Sequence, residues 1–249
     1  MMNNYIKALI VAIGMVASAF IIGKAIERFK TEDRYISVKG FSEKEVKADL
    51  VIWAIKIKVV NNDLKDGNTA LAAAKSKVVN FLTNKGVQPT EINTLDMMVI
   101  DHEAAEYGNN HLNKMRYIIE ETIEVRSNHV DLIQSISRMT NELLNAGVAL
   151  STKSDWNGTG LQFMFTKLNT IKPQMITEAI RNAKDAAIQF TNESNTKLGK
   201  LRKANQGLFS IQDRDQTFSA AVDDGYVNNG KSGVMKKVRV VVSVDYSVE

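Results

Sequence analysis

Hydrophobic positions along the chain fall into three rhythms: one unbroken apolar run near the start, period-two alternation, and steps of three and four. The run spans Ala8 to Gly23, with Lys7 before it and Lys24, Arg28 and Lys30 after it. Beyond it, alternation marks strands and three-and-four spacing marks helices. Tyr35–Gly40 reads as a short strand ending at its glycine. Val46–Val60 reads as a long strand with Val51, Trp53, Ile55, Ile57 and Val59 on one face. Leu50, Ile52 and Ala54 make the other face apolar at its start, so that half is expected to be covered on both sides. Asn61-Asn62-Asp63 then caps a helix whose inward positions are Leu64, Leu71, Ala74, Val78, Phe81 and Leu82, closing at Lys85-Gly86.

Glu91–Ile100 is the next predicted strand, joined by the polar loop Asp101–Asn113 to a strand over Met115–Arg126. There Tyr117, Ile119, Ile123 and Val125 share one face, interrupted by Glu121. A helix is expected over Val130–Asn145, with Ile133, Ile136, Leu143 and Leu144 inward and Gly147 as its stop. Val148–Thr152 and Gly160–Lys167 are strand-like, on either side of the turn-prone Asp155-Trp156-Asn157-Gly158. The longest helix starts near Ile171. Pro173 suits a first turn, where its missing N–H costs nothing. Ile176, Ala179, Ile180, Ala183, Ala187 and Phe190 draw its apolar stripe, leaving Glu178, Arg181, Lys184 and Asp185 to water. The alanines make that stripe shallow, so the helix can lie close to a sheet. Asn195 and Gly199 are candidate stops, since both tolerate the left-handed conformation. A strand leads on to Ile211, Asp213–Gly233 is an uneven polar loop, and Val238–Val248 alternates without a break.

Strands come in pairs, each pair leading into a helix. That order predicts an α+β fold of mainly antiparallel sheets with three main helices on their faces. A doubly wound parallel sheet needs strict strand–helix alternation, which is absent. The expected organisation is a leader and stalk over 1–30 and an α+β domain over 31–249, with possible sub-lobes at about 31–130 and 131–249.

The leader has two readings. Ala17-Ser18-Ala19 offers a small-x-small cleavage site that would release an exported soluble protein. Phe20-Ile21-Ile22 carries the apolar run past that site, and from Tyr5 the segment reaches the roughly 17–25 residues of an uncleaved span. Either way residues 5–23 are expected to meet a membrane, and residues 24–34 form a polar stalk.

Composition narrows the chemistry. The 249 residues include no cysteine, which removes disulfides, thiol catalysis and cysteine metal sites. A net charge of +4 is a mild excess among 24% charged residues, so no nucleic-acid partner is expected. Gly225-Tyr226-Val227-Asn228-Asn229-Gly230-Lys231-Ser232 matches the phosphate-loop expression G-x-x-x-x-G-K-[ST]. That chemistry needs a helix directly after the loop, whereas a β pattern follows, so no nucleotide is expected. His102, Glu103, Glu106 and His111 share one polar loop but lack metal-site spacing, and no metal or other cofactor is expected. His129 stands at a helix start, where capping or exposure is the ordinary role. No serine lies in a Gly-x-Ser-x-Gly elbow, and no catalytic constellation is expected. Lys200, Arg202 and Lys203 with Arg239 could form a basic patch for anionic lipid or polysaccharide, against the plainer reading of a solvated strand face. Trp53 is expected in the core and Trp156 in a loop or interface.

Several local motifs carry a resemblance. Ile36-Ser37-Val38-Lys39-Gly40, Asp49 before the long strand, and Lys85-Gly86-Val87 followed by Glu91-Ile92-Asn93-Thr94 are three of them. The most specific is Ala179, Ala183, Asp185 and Ala186 followed by Leu198-Gly199-Lys200-Leu201. With the valine-rich ending, they resemble the SIMPL-domain family of bacterial cell-envelope proteins over nearly all of residues 35–249. Ala48 and Ser42 depart from that family's proline and second glycine. The resemblance implies an exported or membrane-tethered protein, self-associating and without established enzymatic activity.

Overall fold

The computed structural model describes residues 12–24, 34–103, 115–151, 160–215 and 233–248. They form antiparallel sheets with helices, as the alternation predicts. There are two compact units, each assembled from separate stretches of chain. One comprises Met1–Lys44, Ile171–Ser210 and Arg239–Glu249, and the other Glu45–Thr170 and Ile211–Val238. The phosphate-loop match at residues 225–232, Trp156, Glu106, His111 and the stalk residues 25–33 lie outside the described residues.

The second unit is built on a sheet of order β3 (Ile92–Asp101), β4 (Tyr117–Ser127), β2 (Leu50–Asn61), β5 (Leu161–Met164). All three pairings are antiparallel. Val51, Trp53, Ile55 and Ile57 are buried on one face of β2, beside Ile119, Ile123 and Val125 of β4. Each such side chain contributes about 1.5–3 kcal/mol by leaving water. On the other face of β2 only Leu50 is buried; Ile52 is half-buried and Ala54 exposed, so the expected double cover is confined to the first residue.

Helix α2 (Leu64–Asn84) closes the buried face with Leu71, Ala74, Val78 and Leu82. Its cap is the expected one: the Asp63 carboxylate accepts the Asp66 N–H at 2.9 Å. Lys85 ends it and Gly86 follows at φ 99°, a backbone region that glycine adopts without cost. Leu64 differs from expectation, being exposed at the helix's first residue.

The helix expected over Val130–Asn145 divides into α3 (Val130–Ser137) and α4 (Asn141–Asn145). The Ser135 and Ser137 hydroxyls donate to the carbonyls of Leu132 and Gln134. Such bonds compete with the helical ladder. The Met139 N–H then bonds Ile136 in a tight turn. Ile133, Ile136 and Leu143 are buried as predicted, Leu144 is exposed, and Gly147 (φ 77°) ends the segment. Of the strand expected over Gly160–Lys167, only Leu161–Met164 pairs; of Val148–Thr152, among the described residues only Leu150 makes a bridge, to Ile57.

The other unit holds most of a sheet ordered β1 (Tyr35–Lys47), β8 (Met235–Val248), β6 (Leu198–Gln206), with β7 (Ser210–Asp213) also on β8. Val238, Val240, Val242, Val244 and Tyr246 are buried, as the alternation predicts. Strand β1 does not end at Gly40 but runs seven residues past it. Gly40 serves packing rather than a stop: a Cβ there would lie 2.1 Å from the Ala179 carbonyl oxygen and 2.4 Å from the Ala183 nitrogen. Helix α5 (Leu168–Glu193) therefore rests on the strand at backbone distance, the close approach its alanines imply.

The buried row of α5 is Met175, Ala179, Ala183, Ala187 and Thr191, strictly four apart. Ile180 and Phe190, expected in the stripe, are exposed, because contact this close is one row wide. Pro173 is the helix's sixth residue rather than in its first turn. Asn195 (φ 52°) ends the helix, whereas Gly199 sits inside β6, where a Cβ would meet the Ser247 hydroxyl at 2.4 Å. Residues 12–24 form helix α1, with Ile13, Met15, Val16, Phe20, Ile21 and Ile22 exposed. No helix among the described residues is long and apolar enough to cross a membrane.

Candidate functional site

A concavity lies in the second unit, where α2 stops covering its sheet. Helix α2 packs on β2 and β4. It lies close at Gly67, where a Cβ would be 2.7 Å from Ile119 Cδ1. Strand β3 is the outer strand of that face, so Met97 and Val99 remain about half exposed beside Tyr117 and Ile119. Leu64, Lys65 and Asn68 of the first turns of α2 form the opposite wall, and the cleft between holds about 670 Å³. It lies between a helix and one sheet.

Arg116 closes one end. Its guanidinium meets Asp101 through Nε at 3.2 Å and Nη2 at 3.0 Å, and Glu103 through Nη1 at 2.8 Å. Donating these hydrogen bonds to the Asp101 carboxylate raises the Arg116 pKa further above the ordinary arginine value. Its Cζ lies 4.8 Å from the centre of the Tyr117 ring. Thus Glu103, one of the loop residues weighed for metal, is engaged by an arginine. Among the described residues no three ligating side chains gather into a metal cluster.

His129 occupies the N-cap position of α3 without a side-chain capping bond, and its side chain is exposed, the other ordinary role expected of it. One of its ring nitrogens also meets two side chains that play no part in a simple cap. Its Nδ1 is 3.5 Å from both the Ser127 hydroxyl and the Glu91 carboxylate. These are the residue types of a nucleophilic relay, but a relay uses the two ring nitrogens separately. Here both neighbours face one nitrogen, and Ser127 is 2% exposed. The cluster instead ties the turn before β3 to the end of β4. Burial alone would raise the Glu91 pKa; hydrogen bonds from the Ser127 hydroxyl and the Gln88 N–H, with His129 nearby, outweigh it and hold the carboxyl below its ordinary value.

The buried acids of this unit have basic partners. Glu121, the interruption in β4, meets Lys75 at 3.0 Å, and Glu120 meets Lys58 at 3.4 Å. Asp213 is paired with Lys236, which shares the valine face of β8, and also accepts the Gly233 N–H. In the other unit Lys200, Arg202 and Lys203 are exposed on β6. Arg239 lies on β8, 2.9 Å from Glu43 and over the Phe41 ring. Trp53 is core, 4% exposed.

The most exposed apolar strand is β3. Met97, Met98, Val99 and Ile100 are 39–53% exposed on both faces of an outer strand. Register sets Ile100, Ile118 and Val60 in one cross-strand row on the face away from α2. A bulge between Thr94 and Met97, with Asp96 inside it, blunts the near half of this edge; residues 97–100 beyond it carry neither a bulge nor a charge before the strand ends at Asp101.

No curated protein matches the chain. The family model SIMPL, described as a protein of unknown function (DUF541), matches residues 36–246, and with most of its length so matched the chain belongs to that family.

Proposed function

We propose that this is a non-enzymatic protein of the bacterial cell envelope that assembles with copies of itself, in a structural or stress-tolerance role. It is held at the inner membrane by residues 5–23, facing the periplasm, or is periplasmic after cleavage near Ala19. The observation that carries the reading is the far half of β3: four consecutive apolar residues on an unblunted edge. Such an edge needs a cover. The exposed apolar helix α1 supports the membrane contact, and the pairing of the buried carboxylates with lysines supports a structural role for them. Light scattering of the full chain after mild detergent extraction tests assembly, and a clean monomer rejects it. N-terminal sequencing of the natural protein tests the tether, since a start at Phe20 rejects an anchor.

A second reading is favoured by the cleft beside Arg116: a small molecule or envelope component with an apolar body lies along Met97, Val99 and Leu64. A thermal-shift screen tests it. A hit whose shift survives Val99→Asp excludes this cleft as its site.

A further inference from the structure

We propose that edge strand β6 and the tip that follows it form a peripheral docking surface for an anionic lipid bilayer, separate from the leader. Charge is unevenly divided along the chain. The unit containing β6 has 15 Lys and Arg against 9 Asp and Glu, while the other has 17 against 19, which together make the 32 and 28 of the whole chain. On β6 itself Lys200, Arg202 and Lys203 are exposed, with no acidic residue between Leu198 and Gln206. Asp245 lies across from Lys203 in register, and Arg202 stacks over the Tyr35 ring at 5.4 Å.

The tip distinguishes a bilayer from other polyanions. The Gly207 N–H donates to the Val241 carbonyl at 2.8 Å, and β7 returns to β8 from Ser210. The two residues between are left outside the sheet. Leu208 is 94% exposed, the highest value of any large apolar side chain among the described residues. The Lys172 ammonium sits 5.8 Å from the centre of the Phe209 ring. A soluble polyanion offers the basic strand a counter-charge but gives Leu208 nothing. An anionic bilayer offers both, since cationic groups gather at its surface while an apolar side chain enters the head-group boundary. Arg202 lies six residues before Leu208, roughly 20 Å along an extended chain, so strand and tip can reach one surface.

The chain has no cysteine, so Leu208→Cys in the full chain takes a single environment-sensitive fluorophore at an exposed position. Vesicles with a third phosphatidylglycerol are expected to shift its emission to the blue, and pure phosphatidylcholine vesicles to leave it unchanged. Each basic group near an anionic surface multiplies affinity about five-fold, so Arg202→Gln with Lys203→Gln is expected to weaken the response about 25-fold. No shift with anionic vesicles overturns the proposal. So does an equal shift with both lipids, which means that the leader alone delivers the protein. A blue shift produced by heparin or an oligonucleotide without vesicles overturns it in favour of a soluble polyanion.

Discussion

Replacing Gly40 with alanine adds one methyl group where helix α5 touches strand β1. The new Cβ falls 2.1 Å from the Ala179 oxygen, 2.4 Å from the Ala183 nitrogen and 2.8 Å from the Ala183 Cβ. The two nearest atoms are backbone, so no rotamer change relieves them. Restoring ordinary contact moves the helix out by about 1 Å, and a gap of that size forfeits a quarter to half of each dispersion contact along the row from Met175 to Thr191. Overpacking of this kind costs about 1–3 kcal/mol or more. Against it stands about 0.4–1 kcal/mol from stiffening the unfolded chain. The net expectation is a loss of about 2 kcal/mol or more in urea unfolding followed by far-ultraviolet circular dichroism. Ala183→Gly should not rescue Gly40→Ala, because it removes a side chain and leaves both backbone contacts in place. A loss below about 0.5 kcal/mol, or full rescue by Ala183→Gly, refutes the backbone-contact account.

Other outcomes follow from single contacts. Asp63→Ala removes the α2 cap and should cost about 1 kcal/mol in the same assay, with Asp63→Asn costing much less. Lys236→Met strands the buried Asp213 carboxylate and should cost about 3–5 kcal/mol, while adding Asp213→Leu should recover most of that loss. The Glu91 pKa is lowered in the fold, so its contribution is present above its unfolded value of 4.5 and is lost as the pH falls through the folded value. Glu91→Gln should therefore be less stable than the parent near neutrality, with the gap closing in acid; a gap that does not change with pH contradicts the assignment.

Much of this architecture was legible because it is local. Asp63 before an apolar helical stripe, Lys85-Gly86 after it, and the alternation of Val238 to Tyr246 each identify an element from neighbouring residues alone. The alanines of α5 signalled close packing, but not its target. Gly40 is far away in the chain, and a glycine at the end of a short strand looks the same as one pressed on by a helix. Ile180 and Phe190 lie outside the buried row for a related reason: a helical stripe says which side is apolar, not how wide the contact is. The exposure of Met97 to Ile100 was also invisible, since an outer strand and a buried one share the same apolar run. The Ser127, His129 and Glu91 cluster joins β4, a helix cap and a one-turn helix, with Glu91 36 residues before Ser127, and no short motif announces it.

The measurement that bears most directly on self-assembly is the mass of the detergent-extracted chain with and without charges on β3. The parent is expected at a discrete multiple of 27.7 kDa. Met98→Lys with Ile100→Lys changes two exposed side chains and is expected to give a folded 27.7 kDa species with unchanged circular dichroism. A parent that is already monomeric, or an assembly untouched by both lysines, contradicts it.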